Sequence, residues 1–532
     1  PAETTSKETL DRTVQYCRTL GKVVIVCKDR PGFVVNRFFV PWLNEACLLL
    51  EEGIANAAQI DAISRKAFRI GLGPFGLMNL TGPPIALHST DYLAEQLNTP
   101  RYVGAQNLRD LVGNNEMWPI EEEDSYNEEQ YTLVSERLLG VVFGVAAQIV
   151  DEDICSMEDV DRGAKVGLRW AKGPFELMNR LGVNEAYRMA SAYQQLAGET
   201  WNLPEYFEQQ ASDWDFSYVD LHTEGGIATI TINRPEAMNA LNEVVVEQLT
   251  QAVQAANAND AVTTIVLDGA GKAFVAGADV KFFVDKIRSD SIPDIEVFTE
   301  NGHVLLSALE DSNKTTVALT TGLALGGGLE LALACDFRIG TRRTQFRFPE
   351  TSIGIYPALG GTQRPARIAG REIGRWAVLA GNFMNAQTAT DVGLVTHLVD
   401  VNDVNATIQT IHSTGKPENK YPGAPSNGSS PVVQFAKKFY ADENMATLLS
   451  GGCPEGFDVE DKTVARQLKS LKFTAPIGLA MASARIDATG TTTLSKGLEM
   501  ELAGLNQIFS TEDALEGLSA LIEGRRATYK NA

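Results

Sequence analysis

The sequence predicts an α region followed by an α/β region: a duplicated all-helical half, then an α/β core that ends in helices. Three observations carry this. The segment GPFGLMNLTG, Gly73 to Gly82, returns 100 positions later as GPFELMNRLG, Gly173 to Gly182. Near Trp214 the apolar residues change from helical spacing to strict alternation. From about Val432 helical spacing returns.

The repeat extends beyond its motif. Arg37 matches Arg137, Ile54 matches Ile154 and Asp61 matches Asp161, all at the same offset. Each copy reads as a long apolar helix, a short acidic loop and a second helix starting near Asp61 or Asp161. FFVPWLNEACLLLEEG has helical apolar spacing and stops at Gly53. Two copies of such a unit pack face to face, because each buries an apolar surface it cannot bury alone. This gives a helical domain over 1–205, with copies at about 29–110 and 129–205. Gly71 to Gly76 fits G-x-G-x-x-G, but it follows a helical pattern and contains Pro74. A dinucleotide site needs that motif after a strand, so this stretch reads as a structural turn.

Beyond Trp214, GGIATITIN, TTIVLDG and TTVALTTG alternate as strands, with helical patterns such as ALNEVVVEQLTQAVQAANA between them. The α/β core is expected over 215–405. A Pro-, Gly- and Ser-rich stretch, STGKPENKYPGAPSNGSSP, reads as a flexible linker over 413–431. A helical tail is expected over 432–532.

Composition narrows the function. The 532 residues carry a formal net charge of -22. That field repels phosphate backbones and argues against a nucleic-acid partner. Six scattered cysteines form no CxxC pair, and five dispersed histidines suggest no metal site. Buried reduced thiols and a cytoplasmic location are expected. The longest apolar run, Leu138 to Val150, is too short to span a bilayer and reads as a buried helix, so no membrane partner is expected. The sequence opens at Pro1 on a polar segment, PAETTSKETL, which suggests a processed or partial polypeptide.

The densest chemistry lies in GLALGGGLELALACD, Gly322 to Asp336, and RFPETSIGIYPALGGTQR, Arg347 to Arg364. Gly326 to Gly328 let backbone N–H groups approach a ligand closely, and a helical pattern starts directly after them. Such a site can stabilise an oxyanion. Glu330 lies one turn into an apolar helix, and Glu350 follows Phe346 and Phe348. Two carboxyls in apolar surroundings suit acid–base work. Taken singly, they read as a helix-start glutamate and a surface-loop glutamate; as a pair around three glycines, they read as functional. GKAFVAGADVKFF, from Gly271, offers another Gly-rich turn after a strand, or a plain strand-to-helix loop.

These pieces resemble the crotonase (enoyl-CoA hydratase/isomerase) superfamily, through NRPEAMNAL, KAFVAGADVK, ALGGGLELALACD, FPETSIGIYPALGGTQR and FSTEDALEGLSALIEGR. The resemblance implies a ββα-spiral fold with a helical, trimerising tail. It implies an oxyanion hole from the N–H groups of Ala278 and Gly327, with the thioester of an acyl-CoA as substrate. It also implies that Glu350 delivers a proton to Cα, while Glu330 holds and activates the water that attacks Cβ. Ala276, Asp279 and Lys281 would line the substrate and CoA, although Lys281 reads equally as a solvated surface lysine. The glutamate pair favours hydration of a trans-2-enoyl-CoA over isomerisation. Ala358 stands where hydratases of the family commonly have glycine, and its methyl would narrow the acyl pocket or shift the water.

The first half resembles the C-terminal domain of 3-hydroxyacyl-CoA dehydrogenases, through DRPGFVVNRFFVPWLNEACLLLEEG and the two GPF(G/E)LMN segments. Asn36 matches a substrate-contacting asparagine there; a helix N-cap is the other reading. The resemblance implies NAD on an N-terminal domain that this sequence lacks, supplied by the same precursor or by a separate chain. The chain alone is therefore expected to bind no cofactor. A homo-oligomer and a thiolase partner are expected too. The rival readings are another crotonase chemistry, such as isomerisation, and a non-catalytic scaffold that docks an NAD domain or a thiolase.

Overall fold

A computed structural model describes residues 1–121, 124–198 and 202–531. Residues 199–201, in the expected second copy, and 532, at the end of the expected tail, lie outside the described residues. The chain divides into two compact units: Pro1–Cys17 with Val23–Ser217, and Arg18–Lys22 with Tyr218–Ala532.

The first unit is helical and built twice. One copy contributes the helices Val35–Glu51, Ala57–Phe68, Pro74–Thr81 and Pro83–Leu97. The other contributes Glu128–Asp151, Met157–Arg162, Pro174–Leu181 and Val183–Ala197. In the second copy a π-helical turn, Gly163–Gly167, follows the shorter helix. The long helices Val35–Glu51 and Glu128–Asp151 pack on each other. Their contact is tied by reciprocal ion pairs. Arg37 reaches Glu152 at 3.1 Å, and Arg137 reaches Glu52, its counterpart. Among the described residues, Glu128–Asp151 is the one helix long and apolar enough to cross a membrane, and its apolar window is 72% buried inside the protein.

The second helix of each copy, expected to start near Asp61 or Asp161, starts four residues earlier, at Ala57 and Met157. Asp61 and Asp161 sit inside these shorter helices, whose N-caps are Asn56 and Ser156. Each is buried and aims its carboxylate at the first turn of the next helix. Asp61 accepts from Phe75 N and Gly76 N, both at 2.8 Å. Asp161 accepts from Phe175 N at 2.8 Å and Glu176 N at 2.9 Å. The otherwise orphaned N–H groups of a helix start are thus satisfied by an anion on the favourable end of its dipole.

That contact explains the repeated motif residue by residue. A Cβ at Gly73 would lie 2.5 Å from the Asp61 carboxyl carbon, and one at Gly173 would lie 2.2 Å from that of Asp161. Proline follows at the first helical position, where no N–H is needed. The phenylalanine packs on a tryptophan, Phe75 on Trp118 and Phe175 on Trp214. The asparagine then clips that tryptophan's backbone in both directions: Asn79 to Trp118 O and N, and Asn179 to Trp214 O and N. The G-x-G-x-x-G stretch is accordingly a helix-to-helix turn. The two amides that a pyrophosphate would need are occupied by Asp61, so this segment does not fit a dinucleotide.

The second unit is a spiral of ββα turns. A six-stranded sheet has the order β1 (Val219–Glu224), β2 (Ile227–Ile232), β3 (Thr264–Gly269), β5 (Thr315–Thr320), β7 (Phe337–Gly340), β10 (His397–Leu398). A four-stranded sheet has the order β4 (Ala273–Ala276), β6 (Leu323–Leu325), β8 (Gln345–Arg347), β9 (Met384–Asn385). From β3 to β8 successive strands alternate between the sheets, and helices follow β4, β6 and β8. β1–β2 and β8–β9 are antiparallel; the other pairings are parallel. Helices including Pro476–Ala488, Leu494–Leu502 and Glu512–Glu523 form the tail.

The 413–431 stretch departs from the flexible linker expected of it. It lacks regular structure from Gly415 to Ser430, but it is tied down. Lys416 and Lys420 donate to the carbonyls of Ser312 and Ala334, and the Tyr421 hydroxyl bonds Glu310. Gly423 N and Ala424 N bond the carbonyls of Arg367 and Ile368. Composition measures the lack of secondary structure there, while lysine ammonium groups and backbone amides supply the anchors.

Gly173→Ala is expected to push Asp161 off its two amides and destabilise the helical unit by about 1–3 kcal/mol or more, as overpacked cores do. Urea unfolding of wild type and variant measures it; an unchanged midpoint would show that the close approach is not needed.

Candidate functional site

The sheet register brings the two expected oxyanion donors together. Parallel pairing of β4 with β6 places Ala276 opposite Leu325. Two residues beyond each stand Ala278 and Gly327, at the same end of neighbouring strands. Leu241 forms a parallel bridge with Ala278, donating to Gly277 O and accepting from Asp279 N. In that pairing the Ala278 N–H points away from Leu241. Gly327 opens the helix Gly327–Ala334, so its N–H has no partner within the helix. Gly328 makes the approach possible: a Cβ there would lie 2.1 Å from Val275 O of β4.

Glu330 and Glu350 converge on the same glycines. Gly326 has φ +48, in the left-handed region, and a Cβ there would meet Glu350 Oε1 at 2.2 Å. A Cβ at Gly327 would lie 3.9 Å from Glu330 Oε2. Both carboxyls are buried, at 2% and 7% exposure. The surface-loop reading of Glu350 is therefore wrong: Glu350 opens a 3-10 turn, Glu350–Ile353, directly after the fully buried Phe348.

Their hydrogen bonding differs, and this separates their roles. Glu330 Oε1 accepts from Leu359 N at 2.7 Å and Gly361 N at 2.6 Å. Glu350 Oε2 is buried with no hydrogen-bond partner. Burial pushes the Glu350 carboxyl up to about 8, against the opposing influence of its own backbone N–H and of Arg347. Glu330 is also raised, by burial first and then by the charges of Glu350 and Glu501. Two like charges buried together cannot both form cheaply, so burial and mutual repulsion favour a protonated member of the pair. The two amides favour the anion on Glu330, whereas Glu350 Oε2 has no such donor.

The remaining expected positions are more exposed. Ala276, Ala278 and Asp279 are half-buried, and Asp279 N-caps the helix Val280–Arg288 through Lys281 N at 3.3 Å. Lys281 is exposed, as either of its readings requires. In the helical unit, Asn36 does not cap its helix, because the N-cap is Val34. It lines a cavity of about 470 Å³ with Asp29, Arg30, Phe33, His88 and Tyr92. No group of three or more possible metal ligands occurs among the described residues.

Two residues of this region escaped the sequence reading. Glu501, fully buried, accepts from Gly360 N at 2.6 Å, Thr362 N at 3.1 Å and the Thr362 hydroxyl at 2.5 Å. Burial pushes its carboxyl up to about 7. His303 Nε2 lies 2.6 Å from Ala358 O and 4.0 Å from Glu501 Oε2. No local signal marked Glu501: the helix Leu494–Leu502, LSKGLEMEL, carries Lys496 and Glu499 as well.

Comparison with known proteins agrees with this geometry. The family model for enoyl-CoA hydratase/isomerase matches residues 227–530. The model for the 3-hydroxyacyl-CoA dehydrogenase C-terminal domain matches twice, over 32–127 and 133–217. The chain is 30% identical to a probable enoyl-CoA hydratase of Rhizobium meliloti (strain 1021) over 316 residues, 58% of this chain and 97% of that protein. It is 29% identical to a crotonyl-CoA hydratase of Syntrophomonas wolfei, covering 59% of this chain and 98% of that one. A crystal structure of an enoyl-CoA hydratase from Rhodobacter sphaeroides 2.4.1 superposes with a TM-score of 0.50 at 26% identity, over 58% of this chain and 90% of that chain. With a model matched over more than half its length, the chain belongs to the enoyl-CoA hydratase/isomerase family of the crotonase superfamily, and it carries a duplicated 3-hydroxyacyl-CoA dehydrogenase C-terminal domain ahead of that fold.

Proposed function

We propose that this chain hydrates a trans-2-enoyl-CoA to the 3-hydroxyacyl-CoA. The observation that carries the reading is the asymmetric pair: Glu330 Oε1 on two amides, Glu350 Oε2 with no partner, both beside Gly326 and Gly327. The thioester oxygen accepts from Ala278 N and Gly327 N, which stabilise the enolate as charge moves onto it. Glu330, as carboxylate, takes a proton from water as its oxygen bonds Cβ. Glu350 gives its proton to Cα. The pair starts and ends with one proton, and water has added across the double bond. Ala276, Asp279 and Lys281 lie along the approach to this hole, and Ala358 limits the room beside Glu330.

The helical unit extends the reading to a bifunctional arrangement. The product of hydration is the substrate of a 3-hydroxyacyl-CoA dehydrogenase, and Asn36 in its cavity suits contact with that hydroxyacyl group. NAD would be held by a separate N-terminal domain, of the same precursor or of another chain. A homo-oligomer, a thiolase that consumes the oxidised product, and a cytoplasmic location complete the proposal for a β-oxidation type of pathway.

The purified chain with crotonyl-CoA is expected to lose enoyl absorbance without forming NADH. Adding NAD with an NAD-binding dehydrogenase domain is expected to bring NADH. Double-bond-shifted products in place of 3-hydroxyacyl-CoA would make the enzyme an isomerase.

Glu330→Gln and Glu350→Gln are each expected to lower kcat by about 10²–10⁴-fold, the usual contribution of a positioned acid or base. Unchanged rates in both would favour a scaffold.

The Glu350 proton also has a stability signature. Its folded value lies above the ordinary 4.5, so the stability tied to its neutral form is complete below about 4.5 and is lost as pH rises to about 8. Glu350→Gln stays neutral throughout. Its stability relative to wild type is expected to rise across that window by up to about 1.4 kcal/mol per pH unit. Thermal melts between those two pH values measure it; parallel curves would contradict the buried proton.

A further inference from the structure

The peptide from Leu359 to Thr362 lies between two buried carboxylates and gives its amides to them in turn. Leu359 N and Gly361 N go to Glu330, while Gly360 N and Thr362 N go to Glu501. The segment is a run of turns, with Gly360 at φ +95, and its successive amides go alternately to the two carboxylates, so each carboxylate holds one side of the same short ribbon. Glu501 holds its edge with three donors, counting the Thr362 hydroxyl, and lies across the ribbon from Glu330.

Glu501 is itself fixed. Its carbonyl accepts from the Tyr356 hydroxyl at 2.5 Å, and the carbonyl of Met500 accepts from Arg485 at 3.1 Å. The ribbon's carbonyls are tied separately: Arg364 donates to Leu359 O at 2.7 Å, Gln363 N and Arg364 N donate to Gly360 O, and His303 meets Ala358 O. Gly360, at φ +95, turns the ribbon where a side chain would collide with the Arg364 guanidinium. The chemistry of the anchor is specific. Three donors need an acceptor-only group, and a carboxylate is one; an amide of the same shape turns an NH₂ toward one of those donors.

We propose that Glu501 is a positioning residue of the hydration reaction: by anchoring Gly360 and Thr362 it keeps the amides of Leu359 and Gly361 on Glu330. This rests on the hydratase reading of Glu330. Glu501 does not touch the substrate site; it acts through the ribbon, so its effect is confined to the step that Glu330 serves. The expected oxyanion donors, Ala278 just after β4 and Gly327 at the start of the helix after β6, lie outside the ribbon.

The test is a double-mutant cycle in the full chain, with kcat and KM measured for crotonyl-CoA. Glu501→Gln is expected to lower kcat roughly ten- to hundredfold, the size of a lost hydrogen bond to a charged group, with KM within about threefold. The double variant with Glu330→Gln is expected to be no slower than Glu330→Gln alone, within about threefold, because the two residues act as one unit. Losses that multiply, or a Glu501→Gln enzyme as fast as wild type, would overturn the proposal. Should Glu501→Gln fail to fold, Thr362→Val keeps every backbone amide and removes one of the three donors. It is then expected to slow kcat about three- to tenfold with the same non-additivity, and multiplying losses would again overturn the proposal. Amide hydrogen exchange over 359–362 gives a readout independent of turnover: Glu501→Gln is expected to speed it at least about tenfold. If wild type hydrates neither crotonyl-CoA nor a longer enoyl-CoA, the hydratase reading falls while the exchange result still judges the anchor. Unchanged exchange with an active wild type sinks the anchor alone.

Discussion

Four buried carboxylates aimed at neighbouring main-chain amides hold this protein in shape. Asp61 and Asp161 do this in the helical unit, and Glu330 and Glu501 in the α/β unit. A carboxylate taken from water loses a large solvation energy and must recover it from donors of fixed geometry. Backbone amides are such donors, because their positions are set by the chain. The bond therefore works in both directions: the amides hold the charge, and the charge holds the loop. In the helical unit the result is a rigid turn. Beside the triple glycine it is a carboxylate whose direction is fixed by two amides.

The reactive geometry follows from register more than from any one side chain. Pairing of Ala276 with Leu325 brings Ala278 and Gly327, the proposed oxyanion donors, to neighbouring strand ends. Glycine at 326 and 328 then removes the side chains that would separate helix, strand and Glu350. Each glutamate is delivered by a different turn of the spiral, so their mutual approach is a product of tertiary packing. The difference between them comes from a third segment, the ribbon after Tyr356, whose amides serve Glu330 and not Glu350.

Much of this was legible in the sequence, and the rest was hidden for a physical reason. The duplication, the alternating strands and the glycine-flanked glutamates are local patterns that reading along the chain can find. Asp61 was visible as a repeated residue, but its partner amides lie 14 and 15 positions away, so its place in mid-helix and its capping of the next helix were missed. Glu501 is 141 positions from Gly360, and nothing local distinguishes it from the exposed Glu499 two residues earlier. The 413–431 stretch misled in the opposite sense. Its composition reports the absence of helix and strand, and the anchors at Lys416, Lys420 and Tyr421 depend on groups about 100 residues upstream.

The reciprocal ion pairs of the helical unit bear on its ancestry. Arg37 pairs with Glu152 and Arg137 with Glu52, so each half presents to the other the same arginine and the same glutamate. A surface that complements its own copy in this way is the surface of a symmetric dimer. A single ancestral copy bearing both residues could have joined a second copy through one two-fold contact. Fusing the two genes would then have made that encounter independent of concentration and freed each half to diverge. The present halves differ at this position: Asn36 lines a cavity, while Glu136 pairs with Arg188.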